Sequence, residues 1–335
     1  MLSELIDTTA ALITFLDGLG DCKGQPPSLY VDLEGNNLSR HGTLSLITIL
    51  VEPRQKVYFV DVTTLKEKAF DTMGSDKGTI RSILESKDIP KVFFDIRNDS
   101  DALFGLHGVR IVGIEDLQLM ELASRNFSKR CVNGLAKCIE RDSTVGYAEK
   151  RDWQRVKDKG RILFDPARGG SYAVFDQRPM DQEVIDYCAQ DVALMPHLRD
   201  VYCSKLCDAW WREIISQTET RVEQSQKPGY NGQGRHMAMA PERWLRWHPT
   251  TAERGIRTLY EISGPRKDLD VAKLSSPEDR PTSIVLPARR FQDLAAVLER
   301  LSMHDVRGVS CLDSDEADDF AACDSECGYC GQCPY

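Results

Sequence analysis

The stretch Leu29-Tyr30-Val31-Asp32-Leu33-Glu34-Gly35 decides how this chain is read. Leu29, Val31 and Leu33 alternate with Tyr30, Asp32 and Glu34, the period-two pattern of a strand with one buried face. Asp32 and Glu34 therefore point the same way. Carboxylates about 7 Å apart along one strand face repel each other, and a folded chain tolerates that best with a divalent cation between them. Taken alone, an Asp-x-Glu on a strand is usually just an exposed polar face, so the rest of the chain has to carry the argument.

Two more acidic motifs follow, Asn98-Asp99-Ser100-Asp101 and Tyr187-Cys188-Ala189-Gln190-Asp191. In the second of these the i, i+4 spacing within a helical pattern puts the Tyr187 phenol and the Asp191 carboxylate on one helical face. Around the motifs, residues 28–34, 44–51 and 56–62 read as strands. The turn Glu52-Pro53-Arg54-Gln55 makes the last two an antiparallel hairpin. Short helices are expected over 64–72 and 79–87, a strand over 91–95, a helix from about Asp99 to near Gly108, and a strand over 111–114. From Leu117 the period becomes 3.6, which predicts helices over 117–125, 132–142 and 149–160. A long helix is expected from Gln182 to beyond Trp210, kinked by Pro196. Strands with interleaved helices, then a helical half, define an α/β domain with a mixed sheet flanked by helices.

The 335 residues, 41% of them hydrophobic, suffice for one substantial domain and an appendage. The expected organisation is an N-terminal helix or extension over 1–24, the main domain over 25–210, a helix end and flexible linker over 211–235, a small region over 236–308 and an acidic Cys-rich tail over 309–335. The net charge of −9 is concentrated at the end: residues 311–335 hold seven acids and no Lys or Arg, which leaves −2 for the remainder. An acidic total of this kind does not exclude a phosphate backbone as ligand, because the clustered acids are neutralised on metal binding. No basic n-region precedes the apolar stretch 10–16, and no segment approaches the roughly 18 apolar residues of a membrane span. With eleven cysteines and no secretory signal, reduced thiols in an intracellular compartment are expected.

In order and in residue type, the three motifs resemble the DEDD superfamily of 3′-5′ exonucleases, ribonuclease-H-like in fold. The match is to its Tyr-containing branch, which includes ribonuclease D and Egalitarian-like exonuclease domains. The similarity spans about residues 25–205, with Arg178-Pro179-Met180 and Asp116-Leu117-Gln118 as supporting matches. The resemblance implies that Asp32, Glu34, Asp99 and Asp191 hold two Mg²⁺ or Mn²⁺ ions and that Tyr187 orients the attacking water. The implied substrate is the 3′ end of single-stranded or frayed nucleic acid, RNA or DNA. Asp101 is the alternative second-motif ligand. Asp99 is preferred because Leu103 supplies the apolar residue that the family places four positions on, where Asp101 meets Gly105. Egalitarian-like relatives also include silent RNA-binding adaptors, but those have lost carboxylates and this chain retains all four.

Arg40 and His41, in the loop after the first motif, and Arg97 are candidate nucleic-acid contacts, as are Arg168 and the cluster Lys157-Asp158-Lys159-Gly160-Arg161. The tryptophans at 210, 211, 244 and 247 are either base-stacking platforms or core. Cys323, Cys327, Cys330 and Cys333 offer four thiols within eleven residues: a candidate structural Zn²⁺ site, a reduced disordered tail, or a redox or iron-sulfur centre.

Overall fold

A computed structural model describes residues 2–19 and 26–250; the Cys323 to Cys333 cluster and most of the expected 236–308 region lie outside the described residues. The elements are, in order, β1 (Leu2–Ile6), α1 (Thr9–Asp17), β2 (Leu29–Glu34), β3 (Leu46–Val51), β4 (Lys56–Asp61), the short helices α2 (Val62–Leu65), α3 (Lys68–Asp71) and α4 (Ile80–Leu84), then β5 (Lys91–Phe93) and α5 (Arg97–His107). After them come β6 (Ile114–Asp116), α6 (Leu117–Ser124), α7 (Leu135–Asp142), α8 (Tyr147–Phe164), α9 (Gln182–Ala193), α10 (Met195–Cys203) and α11 (Asp208–Ser225).

One six-stranded mixed sheet runs in the order β1-β4-β3-β2-β5-β6. β2, β3 and β4 are antiparallel neighbours, while β5 and β6 continue parallel to β2 and β1 lies parallel to β4 at the far edge. The period-two pattern distributes side chains to two cores. Val31, Leu33, Ile47, Ile49 and Val60 pack on one face with α1 and the short helices. Tyr30, Leu46, Leu50, Val57 and Phe59 pack on the other with α6, α8, α9 and α10. Asp32 and Glu34 share the Tyr30 face, so both carboxylates point under α9.

Several elements differ from the sequence expectation. β1 is an added strand: as a five-residue edge strand with two exposed residues it has no alternating pattern to reveal it. The last parallel strand starts at Ile114 and not at 111, because Gly113 turns the chain with φ 66° just before pairing begins. The expected long C-terminal helix is three helices. Pro196 lies in the first turn of α10, where its missing N–H costs nothing, and Leu194 ends α9 at φ −103°, ψ 0°.

The segment that composition marks as a flexible linker is also placed by packing. Helix α11 runs on to Ser225, and the buried Arg221 donates to Asp116 (2.7 Å) and to Gln118 (3.0 Å). Beyond it, the backbone of 238–240 pairs with 130–132. Trp244, fully buried, meets Trp210 edge-on at 5.0 Å. These two tryptophans are core, not base platforms.

Candidate active site

Each motif is presented by a different element. On β2, Asp32 and Glu34 sit opposite Thr48 and Leu46 of β3. Helix α9 starts at the N-cap Asp181, whose carboxylate accepts from the Glu183 N–H at 2.7 Å. Its lead-in is tied to the end of β4 by Arg178, which grips Asp61 through two bonds of 2.6 Å. Helix α9 then crosses β2 and β3 with Cys188 in the core and Asp191 toward the strand pair. One carboxylate oxygen from each of Asp32, Glu34 and Asp191 lies within 4.8 Å of the others, a set that could hold a metal ion.

The second motif resolves into separate tasks. Arg97 clasps Asp95 with two bonds of 2.6 Å and donates to the Met237 carbonyl. Asn98 accepts from the Tyr230 hydroxyl, and the Ser100 hydroxyl lies 2.9 Å from that of Ser225. Asp101 takes the Arg40 guanidinium at 2.5 Å and the Arg40 N–H at 2.9 Å. That contact needs Gly105, because a Cβ there would come within 2.3 Å of the Arg40 Cβ. Asp99 is buried and lies outside the Asp32, Glu34 and Asp191 group: burial raises its carboxyl well above the usual range, and Asp32 is the largest repulsive neighbour.

The same physics acts across the cluster. Burial and then the Asp191 charge push Asp32 up, while burial and then Asp32 push Glu34 up. In both, the Lys157 ammonium opposes the rise. Burial likewise holds the Tyr187 phenol well above its ordinary value, so it is neutral. Half-buried carboxylates crowded against their own charge are the arrangement a divalent cation relieves. The donor set fits such a cation: hard oxygens, with no His. Thr48, fully buried and opposite Asp32, has a hydroxyl with no hydrogen-bond partner, a polar atom the protein itself leaves unsatisfied beside the cluster. A second group, Glu121, Cys138 and Asp142, is internally satisfied. Arg125 holds Glu121 at 2.6 and 2.5 Å and the Tyr202 hydroxyl donates to Asp142.

The expected nucleic-acid contacts do not all face outward. The guanidinium groups of Arg40 and Arg97 donate to Asp101, the Ser225 carbonyl, Asp95 and the Met237 carbonyl. His41 is exposed. Arg168 pairs loosely with Asp165 at 3.4 Å. The 157–161 cluster divides by helical phase: Lys159 is exposed beside Glu183 (3.7 Å), whereas Lys157 is buried and turns to Asp191. Lys157 and Thr48 are the site neighbours that sequence reasoning misses. The only sequence signal for Lys157 is its i, i+3 spacing to Gly160, both on the face of α8 that meets α9.

A strand-borne acid pair beneath a helix bearing Tyr and Asp, with a third acidic helix start alongside, defines an α/β protein with an acidic site at the centre of a mixed sheet. The 3′-5′ exonuclease family profile matches residues 4–205, and the chain belongs to that family. No curated protein matches the chain. Among solved structures, Trypanosoma brucei RNase D in complex with RNA U12 is similar with a TM-score of 0.58 at 19% identity, covering 72% of this chain and 77% of that one. The GMP complex of the same RNase D gives 0.56 at 21%, covering 72% and 70%, and a further crystal structure of it gives 0.55 at 21%, covering 72% and 80%. At these identities the likeness is one of fold, and it agrees with the ribonuclease-H-like sheet expected from the motifs. No helix among the described residues is long and apolar enough to cross a membrane.

Proposed function

We propose that the protein removes nucleoside 5′-monophosphates from the 3′ end of single-stranded or frayed nucleic acid, using two Mg²⁺ or Mn²⁺ ions. The observation that carries this reading is the convergence of Asp32, Glu34 and Asp191 oxygens within 4.8 Å, inside a chain of the 3′-5′ exonuclease family. Asp32 and Glu34 of β2, Asp191 of α9 and Asp99 of α5 would hold the metal. Divalent ions held there would supply a lowered water pKa and charge stabilisation for an in-line phosphoryl displacement. The neutral Tyr187 phenol, one helical turn from Asp191, is placed to position the attacking water by hydrogen bonding. Asp101 has a different role, fastening the loop after the first motif to α5 through Arg40. The RNA bound to the similar RNase D supports a nucleic-acid substrate.

The test is shortening of 5′-labelled single-stranded RNA and DNA with Mg²⁺ or Mn²⁺, comparing wild type with Asp32→Ala and Asp191→Asn. A ladder in wild type that disappears in both variants supports the reading. Binding without shortening in either metal overturns it in favour of a silent nucleic-acid-binding relative.

A further inference from the structure

The Lys157 side chain is 5% exposed, and its Nζ lies 2.6 and 2.7 Å from the two oxygens of Asp191. The same ammonium stands 3.1 Å from the Tyr187 ring centroid, so it touches both functional groups of the third motif. It reaches them because Gly160, one turn along α8, lets that helix press onto Tyr187. An ammonium equidistant from both carboxylate oxygens takes the position from which a cation would engage that carboxylate. It is also the charge that offsets the repulsion around Asp32 and Glu34. A half-buried carboxylate cluster can be neutralised by a lysine or by a metal ion, and two cations held against one carboxylate repel each other.

We propose that Lys157 is a built-in competitor of the divalent cation at Asp191, holding the carboxylate through its ammonium and yielding it when the cation arrives. This rests on the reading of Asp191 as a metal ligand. The flexible four-carbon stem allows the ammonium to withdraw along the face of the Tyr187 ring without unfolding α8. Lys157 thereby sets a threshold of metal concentration for loading the site. A merely orienting lysine would act in the opposite sense, since removing it would loosen Asp191 and weaken the metal.

The test is Mn²⁺ binding to the full chain, without nucleic acid, followed by calorimetry and by the electron paramagnetic resonance of free Mn²⁺. Lys157→Met is expected to bind Mn²⁺ at least about tenfold more tightly than wild type. Lys157→Arg, which keeps the charge, stays close to wild type, and Asp191→Asn abolishes the tight ion in both backgrounds. Equal or weaker binding by Lys157→Met overturns the proposal while leaving the metal site standing. No Asp191-dependent Mn²⁺ binding in wild type or Lys157→Met overturns the metal site and this inference together. Thermal melting verifies that the variants fold, and Lys157→Gln provides a second neutral side chain. A readout in wild type alone is the rate of acetylation of Lys157, followed by peptide mass spectrometry. It should rise on Mn²⁺ addition, and an unchanged or lower rate contradicts the competition.

Discussion

Substituting Gly160 by Ala tests whether the site depends on how closely α8 approaches α9. An added Cβ would stand 2.4 Å from the Tyr187 Cβ, 2.6 Å from its Cδ2 and 2.7 Å from its Cγ. Ordinary carbon contacts are about 3.5 to 4.0 Å, so the groups must separate by roughly 1 Å or more. Rotating the ring cannot relieve this, because the nearest atom is the Cβ, fixed to the α9 backbone. The helices themselves must part, carrying Tyr187 away from its contact with Phe164 (4.8 Å, edge-on) and Asp191 away from Lys157. In stability, overpacking costs about 1 to 3 kcal/mol and the helix propensity of Ala returns about 1, for a net loss of about 0 to 2 kcal/mol. The activity effect is larger, since a displacement of about 1 Å in a reacting group costs on the order of 10²-fold. The assay is the rate of shortening of 5′-labelled single-stranded RNA beside a thermal melt. Gly146→Ala serves as control, because a Cβ there meets nothing within 4 Å. A Gly160→Ala protein that melts near wild type and cleaves at the wild-type rate would refute the reasoning.

The two aspartates of the second motif should separate cleanly. Asp99→Asn is expected to lower activity by at least about 10²-fold while leaving stability unchanged or higher by about 1 kcal/mol, because it removes like-charge crowding. Asp101→Asn is expected to retain activity but lose about 1 to 3 kcal/mol with its Arg40 bond; melting and cleavage rates measured together decide between them. Arg221→Met leaves Asp116 charged in the core and should cost about 3 to 5 kcal/mol in urea unfolding, with α11 released first in hydrogen exchange. Lys91 is fully buried, donates to the Ile83 and Ser86 carbonyls, and is pulled down by burial to about 7 from 10.5. The unfolded chain therefore binds the extra proton between these values, so this group's penalty is complete below pH 7 and is relieved as pH rises toward 10.5. Relative to Lys91→Met, wild-type stability should improve by about 2.5 kcal/mol from pH 6 to pH 9, and a flat difference across that range would contradict it.

Much of this architecture is set by local periodicity. Alternation along 29–34 places Asp32 and Glu34 on one face, because successive strand side chains point to opposite sides. The i, i+4 spacing of Tyr187 and Asp191 puts both on one stripe of a helix whatever that helix packs against. The hairpin of β3 and β4 is likewise local, since the Glu52-Pro53-Arg54-Gln55 turn and two apolar runs suffice to specify it.

Local pattern could not decide the partners that side chains find across distant elements. Asp99 and Asp101 lie two positions apart at the start of α5, and their difference arises only because Arg40 arrives from the loop after β2 to occupy one of them. Lys157 reads as a candidate nucleic-acid contact in a charged run until α8 is laid against α9, when its helical phase turns it into the carboxylate cluster. The Asp101 carboxylate and Ser225 carbonyl that Arg40 meets, and the Met237 carbonyl that Arg97 meets, come from α5, α11 and the segment at 237, which no local spacing ties to them. Trp244 follows a stretch that composition alone calls a linker, yet burial against Trp210 decides where it lies. Which carboxylates exist, and on which face of which element, was determined by the sequence; which of them meet, and which are already answered by a cation of the chain, was decided by the tertiary packing, because charge pairing depends on distance in space and not on spacing along the chain.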